Sequence, residues 1–183
     1  MNNWNVNHAL VEGEAPAEPA RAVSHGDRLL PDGWHDPRRA PSHNVEPLRH
    51  HQTIVFVTVC TKGRTPWLAS PDVQTRLLDV WADSTKWAVG KYVLMPDHLH
   101  LFACWIGDVP LSNWVQYWKS RYSKLDKCAD HIWQTGYWDT TMRSYDQYVS
   151  KWEYVLENPV RHGLVESAKD WPFAGEINQI EWT

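Results

Sequence analysis

The sequence lacks the patterns that announce several large protein classes. Only three cysteines occur, Cys60, Cys104 and Cys128. They are odd in number and far apart, so they make neither a disulfide framework nor a Cys-x-x-Cys metal site. A reducing cytoplasm is the expected setting, with nucleoid association if DNA is the partner. No apolar run approaches the ~20 residues that cross a bilayer, so no membrane partner is expected. The first residues, MNNWNVNHALVEGEAP, lack a basic segment followed by an apolar stretch, and no secretory signal is expected. No nucleotide-binding loop and no internal repeat is visible. Positive charge is also short: 18 Lys and Arg against 22 Asp and Glu leave a net charge of −4. The acid sits in the flanks. Residues 1–50 carry −2, residues 166–183 carry −3, and residues 51–165 carry +1. Nucleic-acid binding would therefore rest on a local patch and on stacking rather than on overall charge.

What the chain has in plenty is tryptophan, with 13 in 183 residues. Most are expected to anchor packing and some to offer stacking platforms. Residues 1–48 are rich in Pro, Ala, Gly, His and charge without a sustained period, and read as an extended, weakly ordered arm. Residues 49–174 read as the folded domain and 175–183 as a C-terminal tail. HQTIVFVTVCT is a β-branched, apolar strand. Ser70-Pro71 starts a helix whose apolar period, Val73, Leu77, Val80, Trp81 and Trp87, runs to about residue 87. VGKYVLMPDHLHLFACWI makes two strands around a Met95-Pro96-Asp97 turn. Residues 111–126 form an amphipathic helix, 131–139 a short strand and loop, and 144–160 a last helix limited by Pro159. Cys60 and Cys104 fall in strands as small core residues. The order β-α-β-β-α-β plus a helix predicts an α+β fold. It is a ferredoxin-like, RRM-like split βαβ antiparallel sheet with 54–61 and 98–105 in the middle.

Within MPDHLHLF, His98 and His100 are i and i+2 on a strand and share one face. Leu99, Leu101 and Val93 are expected on the other. Paired imidazoles in an apolar run need hydrogen-bond partners or a metal. In the last helix Tyr154 and Asn158 are i and i+4 and share a face. Two imidazoles and an amide oxygen can hold Mg²⁺ or Mn²⁺ with positions left open. A tyrosine can attack a phosphodiester that such an ion polarises.

MPDHLHLF, then WQTGYWDTTMRS, then YVLENPVRHGLV and DWPF resemble the REP-associated tyrosine transposases. These are relatives of the single-strand insertion-sequence transposases, among the His-hydrophobic-His (HUH) endonucleases with one catalytic tyrosine. The resemblance spans about residues 49 to 174. It implies metal ligands at His98, His100 and Asn158, the last where related transposases use glutamine, and a nucleophile at Tyr154. It implies cleavage of single-stranded DNA beside imperfect palindromic hairpins, through a 5′-phosphotyrosine intermediate, by a monomer or homodimer. Tyr148 is the alternative nucleophile. Lys119, Arg121, Lys124 and Lys127 suggest a phosphate track on the polar side of the second helix. Arg143 and Arg161 flank the last helix, and Tyr137 and Trp138 are candidates for stacking bases. Two other readings stay open: an inactive hairpin DNA- or RNA-binding module, and a histidine-based metallohydrolase.

Overall fold

The computed structural model describes residues 53–180 and 182, so the expected arm lies outside the described residues. The elements follow in the order β1 (Ile54–Cys60), α1 (Pro71–Ala82), β2 (Trp87–Leu94), β3 (His98–Trp105), α2 (Leu111–Asp126), β4 (Trp138–Thr141), α3 (Tyr145–Leu156), α4 (Asn158–Arg161) and β5 (Ala174–Glu176). The sheet order is β4-β1-β3-β2-β5, and each of these pairings is antiparallel. This is the expected split βαβ sheet, with β1 and β3 central and one strand added at the edge.

Alternation along β1 and β3 divides the interior. Val55, Val57, Val59, Leu99, Leu101 and Ala103 join Leu77, Trp81, Trp118 and Tyr122 of α1 and α2 in the larger core. Ile54, Phe56 and Phe102 join Tyr148 and Val155 of α3 in a smaller one. Trp81, Trp87 and Trp118 are fully buried. Among the described residues no tryptophan is fully exposed. Cys60 and Cys104 are buried and form no disulfide.

Four expectations change. First, α1 ends at Ala82, because Trp87 is claimed by β2, where it pairs with Trp105 and stacks on it at 5.6 Å. Second, Val93 lies on the histidine face. A register shift between Val89 and Tyr92 sets Val93 opposite His100, and directly paired residues share a face. Third, the last helix breaks at Glu157, so Tyr154 belongs to α3 and Asn158 opens α4, with Pro159 in its first turn. Fourth, residues 175 and 176 are not tail. β5 pairs with β2, and the Ile177 and Asn178 amides donate to the Gly90 and Val89 carbonyls. A side chain at Gly90 would meet Ile180 at 2.5 Å, so the glycine makes room for this closing segment.

Candidate active site

The hairpin between β2 and β3 carries the histidines. The turn is held by the Met95 amide donating to the His98 carbonyl and by the Thr61 and Leu68 amides donating to the carbonyls of Asp97 and Pro96. Both imidazoles emerge on the α3 side, buried, with ring centroids 4.8 Å apart and edge to face.

Each imidazole is oriented by a neighbour through Nδ1. His98 Nδ1 is 2.7 Å from Asp97 Oδ1, and Asp97 is paired through its other oxygen with Arg64 Nε at 2.7 Å. Arg64 also comes within 3.4 Å of His98 Nδ1. A nitrogen that donates to Asp97 cannot also accept from Arg64, and the shorter contact decides the tautomer. Burial raises the Asp97 pKa, but the hydrogen bond from His98 and the charges of His98 and Arg64 outweigh it and hold the carboxyl below its ordinary value. His100 Nδ1 is 2.8 Å from Thr58 Oγ1, its cross-strand partner. The other ring nitrogen of His100, Nε2, is buried with no hydrogen-bond partner.

Burial, helped by the charges of His98, Lys151, Arg64 and His162, pushes the His100 pKa well below that of a free imidazole. The ring is neutral at physiological pH. In the tautomer whose Nδ1 donates to Thr58 Oγ1, Nε2 carries the lone pair. An orphaned, neutral imidazole nitrogen beside a second ring oriented by a carboxylate offers nitrogen donors of the kind a divalent ion takes.

The helical side faces this pair. Phe56 stacks on His100 at 5.3 Å. Lys151 Nζ sits 5.4 Å from the Phe56 ring centroid and 5.7 Å from that of Tyr154. Tyr154 is 42% exposed and is covered on one side by the Arg161 guanidinium at 3.8 Å. Arg161 also donates to the Tyr154 carbonyl and, at 2.5 Å, to Asn158 Oδ1. Asn158 is fully buried and its Nδ2 has no partner. Its amide oxygen has two lone pairs, so Arg161 leaves one available. His162, which caps α4, brings its ring to 6.3 Å from His98. Tyr148 is buried against Phe102 at 4.6 Å, and burial with the nearby Glu176 charge pushes its phenol up to about 12. Its ring packs in the smaller core.

The expected DNA contacts do not form one surface. Lys119 lies more than a third of a turn away from Arg121 and Lys124 around α2, at 100° per residue. Its ammonium leaves the polar side to donate to the Gln134 and Gly136 carbonyls at 2.6 and 3.0 Å. Burial lowers its pKa to about 8. Arg121 is paired with Asp83. Lys124, Lys127, Arg143 and Arg161 are exposed. Tyr137 is buried in the larger core, which removes it as a stacking platform. Trp138 is half-buried, opposite Thr58 in β4. Thr58, Arg64 and Lys151 entered no expected site, and Asp97 only as the candidate carboxylate of the metallohydrolase reading. The signal for Thr58 was pairing register, which needs the partner strand. For Lys151 it was the i, i+3 spacing to Tyr154. A second group of ligand-type atoms, on Asp126, Cys128 and His131, lies within 4.8 Å at the end of α2. There the Asp126 carboxylate is already engaged by Arg76 and His131, both at 2.6 Å, which clasps the helix end to its loop.

With this geometry in view, comparison with known proteins gives one consistent result. A family model described as "Transposase IS200 like" matches residues 49–157. The chain belongs to this family of transposases, enzymes that cut and transfer single-stranded DNA. More narrowly, it is 30% identical over 129 residues to a REP-associated tyrosine transposase of Escherichia coli, covering 65% of this chain and 73% of that one. A relative from Haemophilus influenzae is 27% identical over 95 residues, covering 44% of this chain and 54% of its own length. A solved REP-associated tyrosine transposase bound to a REP hairpin superposes with a TM-score of 0.58 at 25% identity, covering 67% of this chain and 75% of that one. Among the described residues no helix is long and apolar enough to cross a membrane.

Proposed function

We propose that Tyr154 is the nucleophile of a strand-cleaving and strand-joining reaction at hairpin-forming DNA repeats, and that His98, His100 and Asn158 hold its divalent ion. In this reading the nuclease domain includes β5 and the segment after it, which close the sheet against β2. The family depends on a metal, and Mg²⁺ or Mn²⁺ suits a site of two imidazoles, one amide oxygen and open positions. When bound, the ion supplies electrophilic polarisation of the phosphate.

The protein's own groups do the rest. Asp97 accepts from His98 Nδ1, which would leave its Nε2 to ligate the ion, and the His100 tautomer that donates to Thr58 Oγ1 would do the same. The Tyr154 oxygen forms a bond to phosphorus in line with the 3′-oxygen, whose bond to phosphorus breaks. The phenolic proton leaves to the solvent that reaches Tyr154, and the released 3′-oxygen takes a proton from solvent. The ester conserves the bond energy, so a new 3′-hydroxyl can reverse the step on another strand. The relative bound to a REP hairpin supports hairpin DNA as the substrate.

The observation that carries this reading is the orphaned Nε2 of buried His100, on the sheet face that α3 covers. A suicide single-stranded substrate bearing a hairpin, incubated with and without Mg²⁺, tests it. Tyr154→Phe abolishes the covalent protein–DNA adduct and leaves hairpin affinity within about 3-fold. An adduct that persists in the variant places the nucleophile elsewhere. Metal-dependent cutting without any adduct points to a hydrolase, and binding without cutting to an inactive binder.

A further inference from the structure

We propose that the Lys151 ammonium clamps the scissile phosphate, contacting a non-bridging oxygen between the Tyr154 ring and the histidine pair. The proposal rests on Tyr154 being the nucleophile.

Three observations lead to it. The first is position. Lys151 and Tyr154 are i and i+3 on α3, and Nζ stands within 6 Å of the ring centroids of both Tyr154 and Phe56. Phe56 in turn stacks on His100. A phosphate attacked by Tyr154 while held at the imidazoles must enter this interval. The second is exposure. Lys151 is half-buried beside the Phe56 and Tyr154 rings, on the sheet face that carries the histidines, rather than extended into bulk solvent.

The third is that its donors are unused. Arg64 is spent on Asp97, Arg161 on Asn158 and the Tyr154 carbonyl, Lys119 on two loop carbonyls, and Arg121 on Asp83. Lys151 is half-buried, and burial alone shifts its pKa down. No carboxylate among the described residues offsets it. The two aromatic rings hold the ammonium in place, but they occupy none of its three N–H donors. Burying a cation without an anion is unfavourable, and a bound phosphate removes that cost. The ammonium stays protonated throughout. It stabilises charge that grows on the phosphate as the Tyr154 oxygen bonds to phosphorus and the 3′-oxygen departs.

The test uses the full chain and a single-stranded oligonucleotide carrying an imperfect palindromic hairpin of the REP type. The cut position is mapped first with the wild-type protein. Binding is then measured in the unreactive Tyr154→Phe background, with the scissile position either a phosphate or a neutral methylphosphonate. With Lys151 present, the neutral linkage weakens binding by about 10-fold, and in Lys151→Met the two oligonucleotides bind equally. In the reactive background Lys151→Met slows adduct formation by about 10²-fold. Lys151→Arg restores part of both effects. Equal loss on charged and neutral linkages, or a wild-type adduct rate in Lys151→Met, overturns the proposal. Peptide mapping of the adduct separates the two assignments. An adduct on another tyrosine overturns both, whereas one on Tyr154 with Lys151 indifferent overturns only this one.

Discussion

On the face under α1 and α2 the sheet meets apolar side chains along its whole length. On the face under α3 it meets apolar side chains at one end and imidazoles at the other. The same two strands supply both. Odd-numbered residues of β1 and β3 build the aromatic-rich core, and even-numbered ones run from Ile54, Phe56 and Phe102 to Thr58, His100 and His98. The first face is packed ring against ring: indole N–H groups of Trp87 and Trp114 reach Val109 and Ser84 at 2.8 and 2.9 Å, while those of Trp81 and Trp118 stay buried among crossing rings without a hydrogen-bond partner. The second keeps a buried imidazole nitrogen, of the kind that can ligate a metal as an indole N–H cannot, and a half-buried ammonium. One face therefore carries stability, and the other accepts instability for chemistry.

Three perturbations break or sharpen this contrast. Trp118→Ala, on the tryptophan-rich face, has the largest effect: a loss of about 3–5 kcal/mol in urea unfolding. Its adduct formation falls only in proportion to the folded fraction. The opposite sign is expected beside it. Replacing both members of the Thr58–His100 pair, as Thr58→Val with His100→Leu, removes the orphaned nitrogen and gains about 1 kcal/mol, while Mn²⁺ binding measured by calorimetry is lost. A clear destabilisation would show that the pair serves the fold after all. The smallest effect concerns Lys119, whose amine leaves the edge of the first face for the 134–136 loop. Folded Lys119 sheds its proton near pH 8, whereas the unfolded side chain keeps it to near 10.5. Between these values the unfolded chain binds more protons, so this group's contribution to stability rises with pH. Unfolding midpoints at pH 8 and pH 10 are expected to move in favour of wild type relative to Lys119→Met. A constant difference between the two proteins would mean that the amine is solvated like any surface lysine.

Much of the architecture was legible because it is written in local periods. The β-branched run of β1, the Ser70-Pro71 start of α1 and the apolar stripe of α2 each signal an element without reference to any other. The departures came where a second strand decides. Trp87 fits a helical period equally well until Trp105 is there to pair with it, and Val93 changes face through a bulge that alternation does not record. The Ala174–Glu176 edge strand is three residues long and exists because β2 offers it unpaired backbone groups. The candidate site divides in the same way. His98, His100, Tyr154 and Asn158 stand in short motifs. Their partners Thr58 and Arg64 arrive from elsewhere in the fold, Lys151 is a neighbour of Tyr154 that helical spacing alone does not single out, and basic residues clustered in sequence along α2 point to different neighbours once wound on a helix.

The antiparallel match of Thr58 with His100 and of Cys60 with His98 makes strand alignment part of the proposed metal site. Sliding β3 by one residue would send both imidazoles into the tryptophans and put Leu99 and Leu101 in their place. An insertion or deletion at Pro96, a position given no chemical role, would thus undo the proposed site as completely as removing its histidines, with every proposed ligand still present in the chain.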